Sequence, residues 1–363
     1  MRIYALSQRS MMTYDAAGKA IRDVYAVLQT KKAKIIWSMP KSVKKLFKIL
    51  DLPYLFLFLL FQAGKEDCIF YSVPENHIKI KLLKALRKIK KYKIICFIND
   101  LIYVRQGDFS SDVAKKRIAK EIAEVSMADY VLAPNNNAVR MLRDYGVKSE
   151  IVPVGVWDYI MPEDMSYEIA MRQKKVNEEI NQNGKTQIAY AGNLNKAEFL
   201  SKIPFGQETD IELQLWGLIN EERIATQSAV CHYHGKLPAE ELPLEICTLD
   251  YGLVWDGSGA DYMEGSFGSY ARYCNAHKCG LYLSSGVPVI IWREGGSADF
   301  VREHQCGICV DRLGELPEKI KNADYETIKK NALEVAVKLR QGACLSFALD
   351  RVIELHEEWL RNS

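Results

Sequence analysis

Asn275, His277 and Lys278 fall at the start of a stretch, Tyr270 to Trp292, that reads as helix, turn and strand. Leu281, Tyr282 and Leu283 carry the helical pattern, Ser284-Ser285-Gly286 ends it, and Pro288 leads into the apolar run Val289 to Trp292. Hydrogen-bond donors and a cation at a helix N-terminus suit an anion, because the unpaired N–H groups and the helix dipole both favour negative charge there. Tyr273 lies in the same corner. An ordinary buried helix-turn-strand corner would use the same residues, so their meaning depends on what the rest of the chain supplies.

A second segment fits the same chemistry. Tyr190-Ala-Gly-Asn-Leu-Asn-Lys196 follows an apolar run and precedes a helical pattern. Gly192 and Asn193 let backbone approach a ligand closely, and Lys196 adds a positive charge beside the helix start. Lys196 and Lys278, brought to the strand ends of one sheet, would clasp a diphosphate between them. Trp216 closes the next strand, where its ring either stacks on a nucleobase or packs in the core. Gly235 belongs to His232-Tyr-His-Gly-Lys236, where backbone groups reach a base edge. His232 and His234 share a strand face, but no further ligands follow at zinc spacing, so no metal is expected. Cys306-Gly-Ile-Cys309 lacks a second cysteine pair and opens a strand, which makes it structural filler.

Two carboxylates in the first half are candidates for a general base. Asp15 ends the loop Ser10 to Asp15, and its competing role is to cap the helix that follows. Asp100 ends Phe97-Ile-Asn-Asp100, and its competing role is to hold the next turn. Thr13 and Tyr14, in the same loop as Asp15, are candidates for acceptor contacts.

These segments need elements to position them. Apolar runs at 1–6, 33–37, 68–73, 93–98, 130–133 and 151–156 alternate with helical spacing such as Ala20, Ile21, Val24, Val27 and Leu28. The pattern restarts at 186–191, 211–216, 230–233, 251–255, 287–292 and 307–310. Strands alternating with helices predict parallel sheets covered on both faces. The expected organisation is a basic domain over 1–156, a linker over 157–185, a second α/β domain over 186–344, and a terminal helix over 345–363 that can pack back on the first domain. That helix has Phe347, Val352, Leu355, Trp359 and Leu360 as its apolar side. Ligands of doubly wound sheets bind at the carboxyl ends of the strands, here expected in a central cleft.

The 363 residues carry a net charge of only +3, but residues 1–150 hold 28 Lys and Arg against 14 Asp and Glu. The basic half points to an anionic membrane, nucleic acid or an acidic acceptor. Ile78 to Lys93 sets apolar positions 78, 82, 83, 86 and 89 among lysines, which suits anionic lipid headgroups or a solvated basic helix. It lacks the aromatic residues of a single-strand nucleic-acid binder, and no nucleic acid is expected. The run Leu52 to Phe61 is about half the length of a membrane span and is expected to be a buried helix, or else a membrane-dipping segment. No secretory signal is apparent, and nine scattered cysteines read as reduced thiols of a cytoplasmic protein.

In order along the chain, AAGKAIRDV, FINDLIYVR, MADYVLAPNNNAVRMLRDYGV, VGVWDYI, AGNLNKAEFL, DYGLVWDG and YCNAHKCGLYLSSGVPVIIW resemble bacterial GT-B glycosyltransferases. The likeness is to the group of streptococcal glucosyltransferase 3 and the β-1,6-galactofuranosyltransferases. The resemblance implies two Rossmann-like domains and transfer of a hexosyl unit, galactofuranose or glucose, from a UDP-sugar to a hydroxyl of a growing or lipid-linked glycan. It implies no metal and no cofactor, with Lys196 and Lys278 at the donor diphosphate, Trp216 at the uridine and Thr13 near the acceptor. Asn99 stands where relatives commonly have histidine, and the E-x7-E pattern of many retaining enzymes is missing, so inversion is expected. A homo-oligomer and a peripheral position at the inner membrane face are further expectations. The competing readings are a catalytically silent UDP-binding subunit and an NAD(P)-dependent enzyme, the latter disfavoured because neither half opens with G-x-G-x-x-G.

Overall fold

The computed structural model describes residues 1–8, 16–36, 50–107, 111–178, 184–220, 228–263 and 265–363, with backbone alone at 176–178, 266 and 267. Thr13, Tyr14 and Asp15 therefore lie outside the described residues. The described residues divide into two compact units, one drawn from 1–8, 17–154 and 345–363, the other from 16 and 155–344.

The first unit is built on six parallel strands: β1 (Ile3–Leu6), β2 (Lys34–Ile36), β3 (Cys68–Val73), β4 (Lys93–Ile98), β5 (Tyr130–Ala133) and β6 (Glu150–Pro153). They pair in the order β2-β1-β3-β4-β5-β6. Every residue of β1, β3 and β5 is buried, which is why these strands read as unbroken apolar runs and not as alternating ones. The crossovers include α1 (Ala16–Thr30), α2 (Asp51–Gln62), α3 (His77–Lys90), α4 (Asp112–Val125) and α5 (Asn136–Asp144). Helix α1 buries Ala20, Ile21, Val24, Val27 and Leu28, as its spacing predicts. Helix α2 departs from expectation, because Leu55 and Leu59 alone among its residues are buried. A helix that is apolar all round still has only one stripe to give to a sheet. In α3 the inward stripe is Ile80, Leu83 and Leu86, while Ile78 and Ile89 of the predicted stripe face out.

The second unit also has six parallel strands: β7 (Thr186–Asn193), β8 (Ile211–Leu218), β9 (Cys231–Tyr233), β10 (Tyr251–Val254), β11 (Val289–Trp292) and β12 (Gly307–Val310). Their order is β12-β11-β10-β7-β8-β9. Helix α6 (Glu163–Glu178) lies in the stretch read as a linker, yet it adds Ile169 to the core of this unit. Its Gln173 amide donates to the carbonyls of Cys247 and Ser285, both at 2.9 Å. Helices α7 (His277–Ser284), α8 (Ala298–His304) and α9 (Tyr325–Arg340) complete the layers.

Strand order changes direction between β1 and β3 in the first sheet and between β7 and β10 in the second. At such a switch point the crossover helices leave on opposite faces, which opens a crevice at the carboxyl ends.

Helix α10 (Ala343–Arg361) closes the chain, and from Leu345 onward it belongs to the first unit. It buries Leu345, Leu349 and Val352, whereas Phe347 of the predicted apolar side is exposed. His356 is wholly buried, with Nε2 at 3.3 Å from the Glu66 carbonyl and Nδ1 at 3.4 Å from the Tyr130 hydroxyl. A carbonyl only accepts, so Nε2 carries the proton and Nδ1 accepts from tyrosine in a neutral ring. Burial accordingly lowers the His356 pKa from its ordinary 6.5. The unfolded chain then takes up the proton first as pH falls, so this residue's contribution is complete above about pH 6.5 and is lost on acidification below it. The melting temperature should fall between about pH 6.5 and pH 5, and His356→Gln should flatten that part of the profile. An unchanged slope in the variant would show that the imidazole is not the titrating group.

Candidate functional site

Lys278 is the second residue of α7 and stands at the switch point of the second sheet. Its ammonium meets Asp256 Oδ1 at 2.7 Å, the Trp255 carbonyl at 3.1 Å and the Tyr190 hydroxyl at 3.2 Å. These partners match the three donors an ammonium has. The ammonium also rides 4.5 Å from the Tyr190 ring centroid, a cation–π contact. The Lys278 side chain is 12% exposed, and Asp256 is 37% exposed, so the ion pair lies at the edge of the crevice. Burial raises the Tyr190 pKa well above its ordinary value, so the phenol stays protonated and donates to the Trp255 carbonyl.

Helix α7 is fixed from the other side by Tyr282, whose hydroxyl accepts the Ala191 N–H at 2.7 Å. The Tyr282 ring lies against Gly252 of β10, where a Cβ would sit 2.2 Å from it. The helix starts at His277 after Ala276, with no side-chain cap and no acid in its first turn. The helix therefore starts where the sequence places it, with Lys278 in its first turn.

Pairing of β7 with β8 runs on through Gly192 to Gly217 and Asn193 to Leu218. Gly217 has φ +144° and lies so close to β7 that a Cβ would come within 1.7 Å of the Gly192 carbonyl oxygen. Its N–H donates to the Gly235 carbonyl at 2.9 Å, which aligns the three glycines along adjacent strand ends. Asn193 then turns the chain by accepting the Asn195 N–H at 3.1 Å, and Lys196 emerges exposed at the end of that turn. Lys196 and Asp256 line one cavity of about 210 Å³, together with Tyr270, Ala276, Trp292 and Ser297.

The structure therefore gathers Gly192, Asn193, Lys196 and Lys278 around the carboxyl ends of β7 and β10. Asn275 is buried and accepts from the Ser297 hydroxyl at 3.3 Å. The His277 ring lies 5.0 Å from that of Tyr159, and Tyr273 is half-buried at the same corner. Trp216 is placed differently from its stacking role: it is buried in the core, and the His234 ring covers it at 4.8 Å. The His234 ring itself is exposed at that strand end, as is Tyr233, whose hydroxyl donates to the Gly217 carbonyl. Among the described residues no group of three or more His, Cys, Asp or Glu is arranged around a metal position.

The first unit has its own cavity, of about 530 Å³, at the switch point between β1 and β3. Ser7 and Gln8 after β1, Glu75 and Asn76 after β3, and Asn99 and Asp100 after β4 line it, with Asp51, Leu52 and Lys79 from α2 and α3. Asp100 is ion-paired with Arg105, and Glu121 caps the turn that carries this arginine by accepting the N–H groups of Ile102, Tyr103 and Val104. Glu75, Tyr190 and Asp256 were not singled out from sequence. Glu75 and Asp256 each follow a strand just as Asp100 does, so the strand-end rule applied evenly would have found both.

Comparison with known proteins matches residues 3–156 to the family described as glucosyltransferase 3-like, N-terminal domain, and residues 188–352 to its C-terminal domain. The β-1,6-galactofuranosyltransferase WbbI of Escherichia coli K12 is 24% identical over 356 residues, which is 97% of this chain and 98% of that protein. Glucosyltransferase 3 of Streptococcus parasanguinis is 27% identical over 76% of this chain and 75% of its own. Among solved structures, sucrose-phosphate synthase from Thermosynechococcus elongatus superposes with a TM-score of 0.61 at 15% identity, covering 100% of both chains. Anabaena HepE in complex with UDP does so at 0.56 and 10% identity, covering 98% of this chain and 99% of that one. At these identities the solved structures speak for the two-sheet GT-B fold.

The close approach at Gly217 is directly testable. Gly217→Ala forces the ends of β7 and β8 apart and should cost about 3 kcal/mol of unfolding free energy. At Gly235, φ is +88° but a Cβ meets nothing within 4 Å, so Gly235→Ala should cost about 1 kcal/mol. Urea titration of both variants measures the contrast, and equal losses would dismiss the crowding argument.

Proposed function

The chain belongs to the glucosyltransferase 3-like family, and from that premise we propose that it transfers a hexosyl unit, galactofuranose or glucose, from a UDP-sugar to a hydroxyl of a growing glycan. Relatives matched over nearly the whole chain and over three quarters of it are named as transferases, so a catalytically silent subunit is not favoured. The observation that carries the donor assignment is Lys278, held beside the uncapped start of α7 at a sheet switch point.

In this reading the donor diphosphate takes the place of the half-exposed Asp256 as the anion facing Lys278, with Lys196 across the same cavity. A diphosphate bears more charge than one carboxylate and brings more acceptor oxygens, so it competes well for the ammonium. Gly192 and Asn193 let the chain approach it, and the first-turn N–H groups of α7 add donors. The acceptor hydroxyl, losing its proton to a carboxylate, attacks the anomeric carbon, and the bond from that carbon to the diphosphate oxygen breaks with its electron pair on UDP. Asp100 and Asp15 are the candidates for the base, and direct displacement inverts the anomeric configuration. The charge developing on the leaving diphosphate is met by lysines and N–H groups already in position, which is electrostatic catalysis without metal or cofactor. Gly235 backbone and the His234 ring are left to read the uracil in place of the buried Trp216.

The basic surplus of residues 1–150 supports a cytoplasmic enzyme working peripherally at an anionic inner membrane face on a lipid-linked glycan, alone or as a homo-oligomer. No helix among the described residues is long and apolar enough to cross a membrane.

Lys278→Ala should lower the rate of UDP release by about 10²-fold, as expected for loss of one preorganised donor. UDP at a hundred times its Kd should stabilise the parent by about 2.7 kcal/mol, and NAD should not. The variant should lose most of the UDP-induced rise in melting temperature. Near-normal turnover with an intact UDP shift would sink the donor assignment and leave Lys278 a structural residue.

A further inference from the structure

Helices α2 and α3 pack on each other in the first unit and present an unusual outer surface. Tyr54, Phe56 and Leu57 of α2 are exposed, and Phe61 is 74% exposed. Natural surfaces rarely leave aromatic and aliphatic side chains clustered in this way without a partner. Helix α3 beside it contains no acidic residue. Its Lys81, Lys84 and Lys88 are exposed and form no ion pair with a described residue, and Ile78 and Ile89 stand out among them.

We propose that α2 and α3 together form a docking surface for an anionic lipid bilayer. Helix α2 lies in the interface with Tyr54, Leu57 and Phe61 below the headgroups, and the α3 lysines meet lipid phosphates. At 12 residues α2 is about 18 Å long, against a hydrocarbon core of about 30 Å, so it rests in the surface and does not span it. Charge selects this occupant over a second copy of the chain. A two-fold contact through α2 would bring the lysine-rich α3 of each copy near the other, which repels, whereas an anionic surface complements it. The aliphatic share of the patch likewise suits acyl chains better than nucleobases, which need flat rings. The inference rests on the peripheral position proposed above and adds the surface responsible. The same two helices supply Asp51, Leu52 and Lys79 to the 530 Å³ cavity, so a lipid-linked glycan held at this surface would adjoin the cavity that contains Asp100, a candidate base.

The test uses the full chain and co-sedimentation with vesicles of phosphatidylcholine alone or with about 30% phosphatidylglycerol, a content at which three lysines should count strongly. The parent should bind the anionic vesicles at least about tenfold more tightly, and high salt should weaken binding without abolishing it, because screening leaves apolar insertion intact. Leu57→Ser with Phe61→Ser should reduce binding by about 10²-fold. A triple change of Lys81, Lys84 and Lys88 to Glu should erase the preference for anionic vesicles. Both variants should release UDP from donor with a soluble acceptor at the parent rate, so failure to dock and failure to transfer are separately visible. Absence of anionic preference in the parent, or unchanged binding in both variants, overturns the proposal. Loss of self-association in the Leu57/Phe61 variant, with vesicle binding intact, overturns it in favour of a second copy.

Discussion

A lysine ammonium that is nearly removed from water is costly unless its donors are filled, and Lys278 has all three filled by groups from β7 and from the loop after β10. Tyr190 comes from β7 and Trp255 and Asp256 follow β10, strands that are about sixty residues apart but adjacent in the sheet. That adjacency exists only because the strand order reverses there. The crevice opened by the reversal, the cation within it and the N-terminus of α7 are thus one geometric fact seen from three sides. The arrangement also explains why the surrounding positions are so constrained: Gly252 clears room for Tyr282, which seats α7, and Gly217 lets β7 and β8 close to the Gly192 turn.

This dependence on strand order marks the limit of what one sequence reveals. The strands themselves were legible, because parallel strands buried on both faces are written as unbroken apolar runs, and the start of α7 at His277 was legible from local signals alone. Lys196 and Lys278 pair on chemical grounds alone, as two cations beside helix starts. Asp256 lies in the stretch DYGLVWDG, but nothing local says that the loop after β10 will face the loop after β7. Trp216, α2 and Phe347 fail in a related way. Periodicity and residue type show which side chains are apolar, but not which neighbour arrives to cover them. In the event His234 covers Trp216, the sheet takes one stripe of α2, and Phe347 is left in solvent. The helix in the stretch read as a linker shows the converse, for α6 is polar in composition yet anchored by Ile169 and by Gln173 reaching two backbone carbonyls.

Each unit of this glycosyltransferase repeats the same solution with opposite chemistry. Both sheets have a cavity at the carboxyl ends of their strands, at β1 and β3 in the first and at β10 and β11 in the second, and both are lined from the loops that follow the strands. In the second unit those loops bring Lys196, Gly295, Gly296 and Ala276 just before α7, which suits a leaving diphosphate. In the first they bring Glu75, Asn76, Asn99 and Asp100, a set that suits hydroxyl groups through hydrogen bonds and can accept a proton.

Local and net charge run in opposite senses, and the opposition is informative. Residues 1–150 carry a surplus of 14 positive charges, yet among the described residues their cavity is lined by Asp51, Glu75 and Asp100 with Lys79 as the one cation. The remaining residues carry a deficit of 11, yet their cavity has Lys196 at its wall and Lys278 behind Asp256. The summed charge therefore cannot have been set by the needs of the cavities. In the first half much of the surplus stands on outward faces such as Lys81, Lys84 and Lys88 of α3, where solvent screens each charge and only an extended partner engages several at once. Inside the cavities, with fewer waters and fixed neighbours, single charges act on single groups of a ligand. Surface charge then governs where the enzyme resides, cavity charge governs what it does to a sugar nucleotide, and a sequence can tune one without disturbing the other.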